Sequence, residues 1–444
     1  MGKHTIERRP PLNRPHFTRY AHALRQALGE SRLTRLGRTS RQCRRLRDVT
    51  PQRLVCSLLE ALGAHRIETV ADILRTFNAQ TGLTTRYKAF YNQLAKPEFP
   101  RFMRGVFREL LKNLSQTILR PVAGEGLTLF KDVVVQDGSS FAVHDALADT
   151  FGGRFTAIRP AAVEVHAFLS VFQDQLIQAE VAPDKEHERK FLPEPAQLWD
   201  KLLLGDRGYE SLDYWASVQA AGGSFVFRGR ETLRPQILKL RMGRKRCRRW
   251  EGYLLRDVLH RLPRRCLDLD VEWPRRHAPS LRLRMVLLWI PSRKQFLSLV
   301  TNVPRHVLSA RQVIAVYRLR WQIELVFKEW KSYANLHRFS SANPWLVEGL
   351  IWASLCAAAL KRTVAHASHR TGTRIPISTR IVAMCAPFFL PDLLRCALRA
   401  FESLEAVLQR IFEYLWANAA RAHPRRDKTH GRMQVGLEYV GVKA

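Results

Sequence analysis

A chain of 444 residues with 46% hydrophobic side chains can bury a sizeable core, and its length corresponds to roughly two to four domains. Its 73 Lys and Arg against 39 Asp and Glu give a formal charge of +34, an excess of base that points to a polyanion, most simply nucleic acid. The seven cysteines are scattered without a CxxC or paired Cys/His spacing, which supports neither a disulfide framework nor a zinc site and fits the reducing cytoplasm.

The chain opens MGKHTIERRP, which has no apolar stretch for a signal peptide and carries Ile6 where a myristoylation pattern needs Ser or Thr. Residues 1–48 hold thirteen Lys/Arg and three acids. Their first part, with Pro10, Pro11 and Pro15, reads as a loose basic arm suited to tracking phosphates; a helix is expected to begin within 18–30. Thr50-Pro51 is a helix start, Thr as N-cap and Pro at the first helical position, with Leu54, Leu58, Leu59 and Leu62 on one face. A second helix is expected over 68–78, a turn from Asn78 to Gly82, a third helix over 84–95 and a fourth over about 98–119. The third presents Arg86, Lys88 and Tyr91 and is a candidate DNA-recognition helix; the same pattern also describes an ordinary bundle. Residues 1–122 are thus expected to form a basic, helical, DNA-binding region.

Near residue 125 the hydrophobic period changes. LTLFKDVVVQDGS reads as a strand ending at Asp137, with Gly138-Ser139 turning the chain. Residues 162–172 and 176–183 read as a hairpin, and a helix is expected near 193–201. KLLLGDRGY reads as a buried strand with Asp206 at its carboxyl end, followed by a helix over 212–221 and a strand over 224–229. This order makes an α/β layered sheet. From 228 to 249 there are ten Lys/Arg and one acid, then alternating segments at 267–273, 281–290 and 296–303. Residues 230–303 therefore read as an inserted β-rich unit with a basic face. A helix begins near Ser309. Residues 345–360 are apolar but include Glu348 and run into Lys361 and Arg362, so a buried core helix is expected rather than a membrane span. The chain from 346 on is helical and ends in a basic tail (Arg421, Arg425, Arg426, Lys428, Arg432).

Three carboxylates stand out by position. Asp137 and Asp206 each end an apolar strand, and Glu324 lies on a later helix. A charge on a buried strand is costly unless it is paired or bound to a cation. Two strand-end aspartates and a helical glutamate can hold two Mg²⁺ or Mn²⁺ ions for in-line phosphoryl transfer. Asp132, Asp145 and Asp149 compete for the first position, and Asp-Gly is also a turn former. His166, inside a strand, reads as a core histidine. In YRLRWQIELVFKEWK (317–331) a helical period puts Tyr317, Arg320, Glu324 and Lys331 on one stripe, flanked by Trp321 and Lys328. That stripe suits a metal ion and a phosphate backbone; it equally suits a solvated face stitched by i,i+4 pairs such as Arg320–Glu324.

The spacing Tyr317-x2-Arg320-x3-Glu324-x6-Lys331 resembles the Tyr-Arg-Glu-Lys signature of bacterial DDE transposases of the insertion-sequence-four family. TNVPRHVLSARQVIAVYRLRWQIELVFKEWKS is similar to that family's C-terminal block, GDRGY to the block around its second aspartate and VVVQDGS to that around its first. The resemblance covers about 125–345. It implies an RNase H-like catalytic core over 123–345 with the β-rich insertion between Asp206 and Glu324. It implies that Asp137, Asp206 and Glu324 are the metal ligands, and that Tyr317, Arg320 and Lys331 bind phosphates near the cut. Trp321 would stack an extruded base if cleavage passes through a hairpin, and Trp250 is a second stacking candidate that also reads as a core residue of the insertion. Geometry alone does not choose Lys331 over Lys328; the family pattern does. The implied activity is cut-and-paste transposition, with the N-terminal region on terminal inverted repeats and residues 346–444 pairing two protomers. An RNase H-like nuclease without strand transfer, or an inactive DNA-binding derivative, stays open.

Overall fold

The computed structural model describes residues 13–115, 127–230, 234–243, 245–275, 277–336, 339–372, 377–421, 432–435 and 438–441. The arm before residue 13 and the tail residues Arg425, Arg426 and Lys428 lie outside them.

The first helices are α1 (Arg14–Leu28), α2 (Glu30–Thr39), α3 (Pro51–Ala64), α4 (Val70–Thr81), α5 (Tyr87–Leu94) and α6 (Glu98–Leu110). Pro15 falls in the first turn of α1 rather than in a loose arm, because a first-turn proline costs the helix no hydrogen bond. The Thr50 hydroxyl accepts from the Arg53 N–H and sets the start of α3. Thr69 and Asp72 form a reciprocal capping box on α4, which ends at Gly82 with φ 70°. The fourth expected helix, α6, passes into a π-helical turn at Leu111–Ser115; residues 116–126 lie outside the described ones.

The first strands are β1 (Asp132–Ala142), β2 (Ala162–Ser170), β3 (Gln175–Pro183) and β4 (Lys201–Gly205), then α7 (Leu212–Ala220) and β5 (Ser224–Arg228). They lie in the order β3-β2-β1-β4-β5. The first three are antiparallel, and β4 and β5 run parallel to β1. That is the RNase H-like arrangement. Two sequence expectations change. The strand does not end at Asp137: Gly138 pairs with His166 and the ladder runs on to Ala142, so pairing with β2 overrides the Asp-Gly turn signal. The helix expected near 193–201 is only a 3-10 turn, Pro195–Leu198. Pro193 and Pro195 lack amide donors, and Asp200 has a left-handed φ of 56° that breaks the helical path.

The insertion consists of β6 (Gln236–Met242), β7 (Lys245–Arg246), α8 (Leu255–Val258), β8 (Leu267–Trp273), β9 (Leu281–Ile290) and β10 (Gln295–Thr301). It is not a detached unit. β10 pairs antiparallel with β5, so the strands form one ten-stranded sheet ending in β5-β10-β9-β8-β6-β7. LDLDVEW in β8 alternates buried and half-buried side chains, as its period of two requires. The remaining helices are α9 (Ala310–Tyr317), α10 (Trp321–Tyr333), α11 (Pro344–Gly372), α12 (Thr379–Cys385), α13 (Leu390–Leu398) and α14 (Leu404–Asn418), with a short hairpin of β11 (Arg432–Val435) and β12 (Glu438–Gly441).

The sheet separates two cores. One face of β1 and β2 (Val133, Val135, Val165, Leu169) packs with Ile323, Val326 and Trp330 of α10 and with α11, and that core continues into α1, α3 and α6. The other (Val134, Phe168, Leu203, Phe225) packs on Trp215 and Val218 of α7 and runs on into Leu269, Val271 and Met285 of the insertion. By length and composition α11 could cross a bilayer, but 83% of its most apolar window is buried in the protein, so it serves as the core helix expected. It approaches α6 so closely that a Cβ on Gly349 would collide with the Phe99 ring. Asn335, just after α10, donates to the Leu62 and His65 carbonyls and ties the N-terminal helices to the end of the α10 segment.

Candidate active site

The parallel register of β1 and β4 places the two aspartates. The last matched pair is Gln136 with Gly205, and Asp137 and Asp206 are the next residues on each strand. Their side chains therefore leave neighbouring strands at one level, at the carboxyl end of the pair, where open α/β sheets bind ligands. Asp137 shares its face of β1 with Val135 and so looks toward α10. The sequence stripe assumed one continuous helix there. Instead a 3-10 turn, Arg318–Arg320, separates α9 from α10, and Glu324 lies in the first turn of α10, where the helix terminus favours negative charge.

The stripe residues converge on the strand ends. Arg320 donates from Nη1 to Asp137 Oδ2 at 2.9 Å and from Nη2 to Glu324 Oε1 at 2.7 Å. The Tyr317 hydroxyl donates to Asp206 Oδ1 at 3.3 Å, and Lys331 Nζ donates to the Ser140 carbonyl at 3.2 Å. Trp321 stands apart: it is half exposed, and the Lys328 ammonium lies 5.1 Å from its ring centroid. Lys328 thus faces Trp321, and Arg320 takes the pairing with Glu324.

Burial pushes the Asp137 carboxyl up to about 6; Arg320 and the Gly138 N–H oppose this, while Asp206 and Glu324 add to it. Burial, with Asp206 beside it, also raises the Tyr317 phenol. Burial lowers the Lys331 ammonium, and Arg159 nearby lowers it further. The three carboxylates lie at the strand ends, and the Arg320 guanidinium pairs with two of them. Their oxygens are the hard donor set of Mg²⁺ or Mn²⁺ and not of Zn²⁺. In this arrangement no three His, Cys, Asp or Glu side chains among the described residues gather around one point. The Arg320 guanidinium hydrogen-bonds to both Asp137 and Glu324, and these two carboxylates with Asp206 offer the all-oxygen chemistry that a hard divalent ion takes.

The competing aspartates are elsewhere. Asp132 is buried at the far end of β1, accepts from the Phe172 N–H and is pushed up to about 6 by burial. Asp145 and Asp149 are exposed in the loop after β1. His166 is a core residue, stacked on Phe191 at 3.8 Å between ring centroids and held neutral by burial, which lowers it to about 4. Trp250 is buried in the core of the insertion with Arg249 over its ring, so it presents no free face for a base. Sequence reasoning missed Arg154, Glu164, Asp184 and Glu188, which surround the glycines that follow the two aspartates. It also missed a groove of about 1190 Å³ beside Asp206, lined by Arg154, Lys185, His187, Arg189, Lys190, Arg207 and Arg230 together with Glu186 and Glu188.

Residues 128–360 match the family described as the transposase DDE domain. Among curated relatives, the transposase for insertion sequence element IS231E of Bacillus thuringiensis subsp. finitimus is 23% identical over 58% of this chain and 61% of its own length. The transposase for IS231C of Bacillus thuringiensis subsp. berliner is 22% identical over 77% of this chain and 80% of its own. A solved structure, the piggyBac transposase synaptic complex with hairpin DNA, superposes with a TM-score of 0.43 at 10% identity, over 94% of this chain and 89% of that one. The family match takes in β1 to the middle of α11, more than half of the chain, with every carboxylate and cation of the strand-end cluster inside it. The chain belongs to the DDE transposase family.

Proposed function

We propose that the chain is a cut-and-paste DNA transposase that cleaves the ends of an insertion sequence and joins the freed 3′-hydroxyls to target DNA. One observation carries the reading: Asp137 and Asp206 leave adjacent parallel strands at one level, and Arg320 ties Glu324 to Asp137 from the helix above them. Asp137, Asp206 and Glu324 are the residues that would hold two Mg²⁺ or Mn²⁺ ions, which when bound activate the attacking water or hydroxyl and stabilise the leaving oxygen. Tyr317, Arg320 and Lys331 donate to Asp206, to Asp137 and Glu324, and to the Ser140 carbonyl in the protein alone. With DNA present, the same donors bind phosphate oxygens beside the cut. The half-exposed face of Trp321 stacks a base pulled from the duplex, as a hairpin route requires.

The rest of the substrate is held by charge. The groove beside Asp206 takes backbone phosphates leaving the cut. The terminal inverted repeats dock on the N-terminal helices, where Arg86 and Lys88 are exposed on and beside α5 and a cleft of about 710 Å³ is lined by Arg41, Arg44, Arg45, Arg47 and Lys96. Two protomers pair through the C-terminal helices, where Met384 and Phe388 are exposed.

The test is cleavage of end DNA in Mg²⁺ by Asp137→Ala, Asp206→Ala and Glu324→Ala, with end binding measured alongside. Cleavage is expected to fall to background while binding persists. Undiminished cleavage in any one variant removes that residue from the site. Pre-cleaved ends offered to the wild type should yield joined product; cutting without joining would make the protein a nuclease.

A further inference from the structure

Arg154, in the loop between β1 and β2, touches none of the three carboxylates assigned to the metal. Its backbone N–H donates to Asp184 Oδ2 at 2.9 Å and its Nε to the Asp184 carbonyl at 3.3 Å, which anchors it at the end of β3. The guanidinium then divides. Nη2 donates to Glu164 Oε2 and Nη1 to Glu188 Oε1, each at 3.1 Å. Glu164 sits on β2 and covers Gly138, the residue after Asp137; Glu188 opens the 3-10 turn Glu188–Phe191 and covers Gly208, two residues after Asp206. At both glycines a Cβ would collide with a carboxylate oxygen. Neither glycine has a left-handed φ, so what a side chain there would disturb is the seat of each carboxylate, not the backbone conformation. Ser140, on the same strand as Asp137, adds its hydroxyl to Asp184.

One guanidinium therefore fastens two carboxylates, and each carboxylate is seated against the backbone beside one aspartate of the pair. We propose that Arg154 is a positioning residue: through Glu164 and Glu188 it fixes the separation of the Asp137 and Asp206 segments and so sets the affinity of the site for its divalent ion. This rests on the metal assignment proposed above. The sign of the effect separates positioning from simple charge. Removing a cation near a metal site, and leaving Glu164 and Glu188 unneutralised, should tighten cation binding by electrostatics alone. Loss of positioning weakens it, and lost support around metal ligands costs about 10–100-fold in affinity.

Mn²⁺ binding to the full-length, DNA-free protein, read from the electron paramagnetic resonance of the free ion, tests this. Arg154→Ala is expected to weaken Mn²⁺ by about tenfold or more, with Arg154→Lys between it and wild type because an ammonium cannot fork two carboxylates. Glu164 is buried, so Arg154→Ala alone strands a charge in the core; the double variant Arg154→Ala with Glu164→Gln removes that charge and should still bind Mn²⁺ weakly if it folds. Gly208→Ala, which displaces Glu188 without touching any charge, should do the same. Unchanged or tighter Mn²⁺ binding across these variants overturns the proposal. So does weaker end-DNA binding at wild-type Mn²⁺ affinity, which would make Arg154 a direct phosphate contact. Asp137→Ala and Asp206→Ala are run in parallel. If they too keep wild-type Mn²⁺ affinity, it is the metal assignment that fails.

Discussion

Helix α10 meets an arginine fork on each of two faces, built from the same parts. On one, Arg320 joins Glu324 at 2.7 Å to Asp137 of the sheet at 2.9 Å. On the other, Arg362 of α11 joins Glu329 at 2.8 Å to Asp174, in the turn between β2 and β3, at 2.5 Å, with His366 3.4 Å from the same aspartate. The side chains of the second fork are 4–5% exposed; those of the first are 17–27% exposed. Burial makes the difference in role. Charges that water cannot reach are expensive to separate, so the Arg362 fork locks α10 against α11 and the sheet. The Arg320 fork opens to solvent, where an arriving ion or phosphate can compete for each partner. A helix held rigidly on its inner face can present an exchangeable set of charges on its outer one.

Opposite outcomes for the two forks are the sharpest check on that comparison. Glu324→Gln should abolish cleavage, whereas Glu329→Gln should leave it nearly intact, because glutamine still accepts the hydrogen bond from Arg362 and Glu329 lies away from the strand-end carboxylates. The arginines should reverse this order in stability. Arg362→Ala leaves Asp174 and Glu329 buried without their cation and should cost about 3–5 kcal/mol in urea unfolding. Arg320→Ala frees partly exposed carboxylates and should cost about 1 kcal/mol or less, while cleavage is lost. Similar unfolding midpoints for the two arginine variants would dissolve the distinction.

A smaller effect follows from Lys361, which is buried beside the inner fork and donates to the Gly63 and Tyr333 carbonyls. Burial lowers its ammonium from 10.5 to about 8, although Glu329 pulls it back up. Between those values the unfolded chain binds the proton that the folded chain has released. This group's contribution is therefore fully present above 10.5, and it is lost as pH falls through about 8. Thermal unfolding from pH 8 to 10 should show stability gained with pH from this group, and Lys361→Met should flatten that slope. An identical slope in the variant would mean that Lys361 keeps its charge in the fold.

The outer fork was far more legible in the sequence than the inner one. Tyr317, Arg320, Glu324 and Lys331 lie within one short segment, and Asp206 follows an apolar run, so local spacing carried them. The RNase H-like order of strands was legible through the resemblance those residues brought with them. Asp137 was found for a partly mistaken reason: it was read as a strand end, yet the strand continues because Gly138 pairs across to His166. Lys361 and Arg362 were read as the close of an apolar stretch; α11 runs on to Gly372 because partners from other segments satisfy both charges inside the core. The Arg154 hub left no local pattern, since Arg154, Glu164 and the stretch from Asp184 to Glu188 lie in three separate segments. Its trace is the pair of glycines beside the aspartates, which an Asp-Gly turn explains equally well until the packing is seen.

The least effect is expected where the sequence could not choose between two lysines of α10. Lys328 is exposed, and its contact with the Trp321 ring is worth about 0.5–1 kcal/mol at such a site. Lys331 is half buried and reaches the Ser140 carbonyl of β1, three residues along the strand from Asp137, and burial beside Arg159 destabilises its charge until an anion arrives. Lys331→Ala should therefore weaken end-DNA binding and reduce the salt dependence of log K by about one phosphate's share. Lys328→Ala should leave that slope unchanged and lower thermal stability only slightly. Equal losses of salt dependence would place both lysines on the phosphate track. The outer face of α10 would then be wider than the Arg320 fork defines.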